Sequence, residues 1–330
     1  MHRGNNCEDT EQLRKIKKKM DGKTTMEKDR KKSMVSSMLL MLTALIWGVA
    51  FVAQSEGLNY VGAFTLNGSR FLVGGMVLLP YLLLTKKNGN NESAQERKVQ
   101  RRRLKTGVIG GICCGCFLCL ASSLQQFGIA YTTVGKAGFI TALYIVIVPL
   151  LGLFMHHKVG LNIWLSVLIA SAGMYLLCIT EEFSIGRGDL LVFLCAIGFS
   201  MHILVIDHFS PKADGVVISC VQFFTAGLIS VVLMFTFEQP SWKGILSAWL
   251  PILYAGVMSS GVGYTLQIIG QKNLDPTVAS LIMSLESVFA MLAGWVILGQ
   301  KMSARELLGC ALVFGAIILA QIPVEKLRKA

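Results

Sequence analysis

Charge is scarce in this chain: Asp, Glu, Lys and Arg make up only 15% of its 330 residues, against 53% hydrophobic residues. So little charge cannot cover the surface of a soluble domain. Catalytic signatures are missing as well. There is no His-Glu-x-x-His, no Walker-type phosphate loop and no Gly-x-Ser-x-Gly with triad partners. Membrane enzymes usually show such constellations, so the chain does not read as an enzyme. No apolar core precedes Met34, and a cleavable signal peptide, which needs one of about 7–15 residues, is not expected. The outer connections hold no pair of cysteines, so disulfides are not expected either.

What the chain does have is long apolar runs. Stretches of about 20 residues, enough to cross a bilayer core, recur from Met34 to Ile322. They predict spans near 36–55, 62–84, 106–127, 135–155, 160–179, 188–209, 214–236, 247–270, 276–298 and 304–322. Ten such helices leave no room for a sizeable soluble domain. The expected fold is an all-α integral membrane protein.

The net charge of +12 is concentrated. Residues 1–34 carry 11 Lys/Arg against six acids, and residues 85–105 carry eight against two. Basic runs can attract nucleic acid, but beside membrane spans they orient the chain, so no nucleic-acid partner is expected. With the N-terminus inside, the cytoplasmic segments hold 25 Lys/Arg, the outer connections five, and Arg70 alone lies within a span. That asymmetry predicts a multi-pass protein of the cytoplasmic membrane with both termini cytoplasmic. The tail 1–34 is rich in Glu, Lys, Asp, Thr and Asn, a composition that predicts disorder.

The spans repeat. Ala44-Leu-Ile-Trp47-Gly48 in the first matches Ala196-Ile-Gly-Phe199-Ser200 in the sixth. Pro149 in the fourth corresponds to Ser287 in the ninth, and Gly173 in the fifth to Gly315 in the tenth. Each half then holds five spans, residues 35–180 and 181–323, between the tail 1–34 and a short cytoplasmic tail 324–330. Because five is odd, the second half enters the membrane inverted. Inverted repeats place a site near the midplane between halves and permit alternating access.

Trp47-Gly48-Val-Ala-Phe51, with Arg70 in Asn67-Gly-Ser-Arg-Phe, resembles the opening helices of the EamA-type transporters of the drug/metabolite transporter superfamily. The most specific stretch is Gln126-Phe-Gly-Ile-Ala-Tyr-Thr-Thr-Val-Gly-Lys-Ala-Gly-Phe-Ile-Thr-Ala-Leu-Tyr-Ile-Val-Ile-Val-Pro149. Ser284-Leu-Glu-Ser-Val-Phe-Ala290, followed by Gly294-Trp-Val-Ile-Leu-Gly299, is similar to the matching segment of the second half. The resemblance covers residues 36–322. It implies ten transmembrane helices in two inverted five-helix repeats, and export or exchange of small solutes without ATP. Where relatives often end the ninth helix Leu-Gly-Glu, this chain has Leu298-Gly299-Gln300.

An ionisable group at the centre of an inserted helix costs about 2.5–3.5 kcal/mol, so each needs a reason. Arg70, about eight residues into the second span, could anchor a substrate carboxylate. It could instead snorkel to the interface or bond backbone carbonyls, the reading its depth favours. Glu286 sits mid-span in the ninth helix. Desolvation there favours the protonated carboxyl, which could carry a proton in an antiporter; equally, it could only bond a neighbouring helix. Trp47 could wall a binding site. Tyr131, Tyr144, Tyr264 and Gln267, with Gln125, Gln126 and Gln222, could line a wet cavity or join helices. Trp47, Arg70, Tyr131, Tyr144, Tyr264 and Gln267 are therefore the candidate substrate-binding residues, and Glu286 is the candidate proton carrier.

Gly107, Gly111 and Gly115, spaced by four, form a small-residue ridge suited to close helix packing. Gly256, Gly261 and Gly263 could loosen the eighth span. Cys113, Cys114, Cys116 and Cys119 cluster on one helix, but one uninterrupted helix cannot wrap a zinc ion with four thiolates. No metal and no cofactor are expected. The expected function is secondary transport of a small organic solute, an amino acid, amine, nucleoside or drug-like metabolite, by export or proton-coupled exchange. An uncoupled facilitator of the same fold and a non-transporting receptor are the alternatives.

Overall fold

A computed structural model describes residues 5–86, 93–132, 134–154, 160–178, 186–298 and 303–320. Every regular element among them is helical. α1 runs Asn5–Gly57, α2 Ala63–Lys86, α3 Ala94–Ile129, α4 Val134–Thr141, α5 Tyr144–Phe154 and α6 Leu161–Cys178. α7 follows at Arg187–Phe209, α8 at Gly215–Phe237, and two short helices, α9 Trp242–Ser247 and α10 Trp249–Leu253. A π-helical stretch, Tyr254–Tyr264, leads into α11 Thr265–Gln271, α12 Pro276–Met283, α13 Leu285–Leu298 and α14 Ala304–Ala320.

Eight helical stretches among the described residues are long and apolar enough to cross a membrane, and Leu161–Leu176 and Leu307–Ala320 are shorter apolar helices. The outside of the bundle is oily. Leu228, Val232 and Phe235, spaced as one stripe of α8, are 59–70% exposed, whereas Arg70, Gln126, His202, Gln222 and Glu286 are buried. Apolar surface of that extent outside and polar groups within suit a lipid surround.

Local signals set several helix starts. Asp214 and Asp275 cap α8 and α12 by accepting from Val216 N and Thr277 N, each at 2.8 Å, and Pro276 occupies the first turn of α12, where its missing N–H costs nothing. At the other end of α8, the Glu238 carboxylate accepts from Phe64 N at 2.8 Å and Thr65 N at 2.9 Å. It thereby caps α2 across the bundle.

The structure departs from the sequence reading in three places. α1 begins at Asn5, so the tail expected to be disordered is helical from that residue. Its Lys, Glu, Gln and Met residues are good helix formers, and extending an anchored helix avoids the cost of nucleation. The fourth and ninth apolar segments are each broken, between α4 and α5 and between α12 and α13. At the first break the backbone tightens to three-residue bonds, Leu143 N to Ile140 O and Ile145 N to Ala142 O. At the second, the Ser284 hydroxyl donates back to Leu281 O at 2.7 Å, a bond that bends helices. The eighth segment is π-helical through its centre, over the stretch that carries Gly256, Gly261 and Gly263.

The glycine ridge of α3 meets α8. A Cβ at Gly111 would lie 2.5 Å from Val221 Cβ and 3.0 Å from Ile218 O; one at Gly115 would lie 2.7 Å from Gln222 O. Backbone lies on both sides of this contact, so it cannot yield cheaply. Gly111→Val is expected to destabilise the protein by about 1–3 kcal/mol, the usual cost of overpacking. Thermal unfolding in detergent checks this, and an unchanged midpoint would mean that α3 and α8 separate easily.

Candidate functional site

Helix packing brings both halves of the chain to one place. α1 packs on α13, α11 and the π-helical stretch, α2 on α8 and the π-helical stretch, α3 on α7 and α8, α5 on α7 and α12, and α6 on α14. At the centre lies a cavity lined by Trp47, Gln54, Arg70, Gln125, Tyr144, His202, Ser259, Tyr264, Gln267 and Glu286, among others. The cavity volume is about 30 Å³. That is room for about two waters, each needing some 10–15 Å³.

α1 contributes a stripe: Trp47, Phe51 and Gln54 follow at i, i+4 and i+7, one face of a helix. Gly48 lets this face approach α13, since a Cβ there would fall 2.8 Å from both Ala290 N and Glu286 O. The Trp47 indole tilts against Tyr264 with ring centroids 4.6 Å apart and donates to Ser259 O at 3.3 Å. Gly263 leaves it space, because a Cβ would stand 2.8 Å from the indole nitrogen. Thr43 donates to Gly263 O at 3.2 Å and Tyr254 to Ile46 O at 3.1 Å, so side chains of both elements stitch α1 to the π-helical stretch.

Arg70 does not snorkel. It is 2% exposed, and its Nη1 donates to Gln54 Oε1 at 2.7 Å. The same oxygen accepts from Gln126 Nε2 at 2.6 Å, and Gln54 in turn donates to Ala50 O at 3.2 Å. The guanidinium carbon lies 4.6 Å from the centroid of Phe71, a cation–π contact. Arg70 Nε has no hydrogen-bond partner. At this depth the inward cluster of amides offered a nearer partner than the interface did.

The two helix breaks face each other. Tyr144 opens α5, Glu286 is the second residue of α13, and the Tyr144 hydroxyl donates to Glu286 Oε1 at 3.0 Å. His202 from α7 bonds Gln222 Oε1 through Nε2 at 3.0 Å and meets Tyr264 edge-on at 5.9 Å. Its Nδ1, Gln222 Nε2 and Gln267 Oε1 are buried and unpartnered.

Of the sequence-predicted residues, Trp47, Arg70, Tyr144, Tyr264, Gln267 and Glu286 line this cavity, and so does Gln125. Tyr131 does not: it closes the turn after α3 and is 73% exposed. Gln54, Thr141, His202 and Ser259 were not singled out. His202 could have been, because an ionisable ring inside an apolar span raises the same question as Arg70. Gln54 could have been read from its spacing to Trp47. The four α3 cysteines do not converge: Cys114 and Cys119 are buried, Cys113 is half-buried and Cys116 exposed, all as free thiols. Among the described residues no group of three or more His, Cys, Asp or Glu could hold a metal. Gln300, the side chain of Lys136 and the tail 324–330 lie outside the described residues.

An oily exterior, membrane-length helices and a buried polar cavity define a multi-pass helical membrane protein with an internal polar site. Its relatives name the function class. The EamA-like transporter family model matches residues 34–179 and again 186–321, and the chain belongs to that family. An "Uncharacterized transporter" of Archaeoglobus fulgidus is 27% identical over 89% of this chain and 88% of its own length. The "Uncharacterized inner membrane transporter YedA" of Escherichia coli K12 is 22% identical over 84% of this chain and 88% of its own. A crystal structure superposes with a TM-score of 0.71 at 19% identity, covering 89% of this chain and 99% of that one; this likeness establishes the fold alone. The protein is a membrane transporter.

Proposed function

We propose that the chain is a ten-span secondary transporter of two inverted five-helix repeats, residues 35–180 and 181–323. It moves a small organic solute across the cytoplasmic membrane by alternating access, with both termini cytoplasmic. The observation that carries this reading is the shared cavity, where Arg70 and Tyr144 from one half meet Tyr264, Gln267 and Glu286 from the other.

The packing supports the repeat. Number the apolar segments one to ten and exchange each with the segment five places away. The α1–α13 contact then becomes the α7–α5 contact, and α3–α7 becomes α1 with the π-helical stretch and α11. Likewise α3–α8 becomes α2 with the π-helical stretch, while α2–α8 and α6–α14 map onto themselves. The breaks also correspond, one in the fourth segment and one in the ninth. Such a two-fold places substrate at the junction and allows the halves to rock. Since the cavity has room for about two waters, solute entry requires the halves to separate.

Solute binds against Trp47 and Tyr264 and bonds Arg70, Gln267 and Tyr144, and Glu286 exchanges the coupled proton. An amino acid, amine, nucleoside or drug-like metabolite fits this mixture of aromatic wall and polar ends. An uncoupled facilitator of the same fold is the second reading, favoured by the Tyr144–Glu286 bond, which a purely structural carboxyl would also make. Thermal unfolding of the purified protein against amino acids, polyamines, nucleosides, organic acids and cationic drugs tests the site. A solute at 100 times its Kd is expected to add about 2.7 kcal/mol, and Trp47→Leu to remove most of that gain. Undiminished stabilisation in Trp47→Leu would put binding elsewhere.

A further inference from the structure

α3 is longer than a membrane requires. Its 36 residues span about 54 Å at 1.5 Å each, against a hydrocarbon core of about 30 Å. The excess lies at its N-terminal end, where residues 95–105 are all exposed and the apolar run begins only after Lys105. Ser93 and Glu96 secure this end with a reciprocal capping box: Ser93 Oγ accepts from Glu96 N at 3.3 Å, and Ser93 N donates to Glu96 Oε2 at 2.8 Å. The projecting turns are therefore a rigid continuation of a membrane helix.

Five cations line one open groove on this projection: Arg97, Lys98, Arg101, Arg102 and Lys105. At 100° per residue they fall within an arc of about 140°. Glu96 lies outside that arc, and its carboxylate is turned onto Ser93. Where α3 enters the bundle, Gly107 packs on Val217 and Gly110 on Phe209, and both glycines sit on the side of the helix away from the cations. Val108, Ile109 and Ile112 sit below the cations on the same side and are 37–46% exposed, as lipid-facing residues are. The basic groove thus stands directly above the lipid-facing strip, over about 12 Å of helix from Arg97 to Lys105. Headgroup layers are roughly 5–7 Å thick on each side of the core.

We propose that Arg97, Lys98, Arg101, Arg102 and Lys105 form a docking face for the anionic phospholipid headgroups of the leaflet at that end of α3. Fixing the orientation of the chain requires basic residues in this connection, which Lys86 and Lys87 already help supply, but it does not require five on one face of a rigid helix above lipid-facing residues. Guanidinium and ammonium groups spaced by one helical turn can each pair with a phosphate, and partial desolvation at the interface strengthens those pairs.

The test is lipid binding to the full-length protein in detergent, read by native mass spectrometry with phosphatidylglycerol, phosphatidylcholine and inorganic pyrophosphate as probes. The wild type is expected to prefer phosphatidylglycerol. Replacing Arg101, Arg102 and Lys105 together by Gln is expected to weaken that binding about 100-fold, at roughly fivefold per charge, and to leave phosphatidylcholine binding unchanged. The loss should shrink as salt rises from about 50 to 300 mM, where screening shortens. The double substitution Arg101→Lys with Arg102→Lys keeps the charge and is expected to keep the preference, which separates charge from misfolding. Equal binding of phosphatidylglycerol by the triple Gln variant would overturn the proposal. So would pyrophosphate binding as tightly as the lipid, since the face would then be a site for soluble anions. None of these readouts involves solute movement, so the result stands or falls apart from the transport reading.

Discussion

Glu286→Gln is expected to abolish accumulation of solute against its gradient when a pH gradient is the driving force, while exchange of solute for solute survives. Glu286 is 4% exposed and accepts from the Tyr144 hydroxyl at 3.0 Å. Gln presents a carbonyl oxygen at the same place, so the bond between α5 and α13 is kept. The exchangeable proton is what the substitution removes. For one proton moved per solute, a gradient of one pH unit supports a tenfold concentration ratio, about 1.4 kcal/mol; without the proton the ratio falls to one. Proteoliposomes loaded at one pH and diluted into another measure the ratio directly, using whichever solute stabilises the purified protein. PH-driven accumulation retained in Glu286→Gln would end the proton-carrier role and favour the uncoupled facilitator. Tyr144→Phe is a useful companion: it removes the donor, keeps the ring, and should alter the pH profile of transport without erasing coupling.

Much of the architecture was legible because membrane helices announce themselves by length and apolarity, quantities that survive any choice of packing. Several residues that line the cavity were legible for a related reason. Arg70 and Glu286 are costly inside a bilayer, so the sequence marks them as residues that need a polar partner. What the sequence did not show is how each side chain is satisfied. Arg70 was expected to reach outward because a long side chain can; the Gln54–Gln126 pair that holds it inward comes from α1 and α3 and meets only in the folded bundle.

The breaks in the fourth and ninth segments were also hidden. Neither Leu143 nor Ser284 is a proline or glycine, and both interrupt runs that read as continuous helix. Tertiary contacts override local propensity there, and the breaks hold Tyr144 and Glu286 within hydrogen-bond distance. The π-helical stretch was half legible. Three glycines hinted at a loosened eighth segment, but the carbonyls of Ser259 and Gly263 that accept from Trp47 and Thr43 became visible only in the structure. Tyr131 was grouped with the possible cavity-lining residues because an amphipathic side chain on an apolar segment can face a wet cavity. It ends a helix at the rim, where an amphipathic ring is comfortable.

Arg70→Met is expected to leave stability unchanged or raise it, while sharply weakening solute binding. The two effects separate a substrate anchor from a structural one. Burying a guanidinium carries a desolvation cost that its partners must offset, and similar-sized apolar replacements of buried charges are often neutral or stabilising by about 1–4 kcal/mol. Here the offset is thin: one bond to a neutral amide, a cation–π contact with Phe71, and an unpartnered Nε. Met keeps most of the volume, and Gln54 Oε1 keeps its bond from Gln126. Gln54→Leu runs the other way. It removes the acceptor and strands the charge, so it is expected to destabilise by about 1.5–3 kcal/mol, the worth of a hydrogen bond to a charged group. Thermal unfolding of both variants, with and without a stabilising solute, distinguishes the cases. A binding role for Arg70 requires that Arg70→Met lose the solute's stabilisation yet keep its own midpoint. If instead its midpoint falls as far as that of Gln54→Leu, the arginine is a structural tie between α1, α2 and α3, and the solute must find its polar partner among Tyr144, His202 and Gln267.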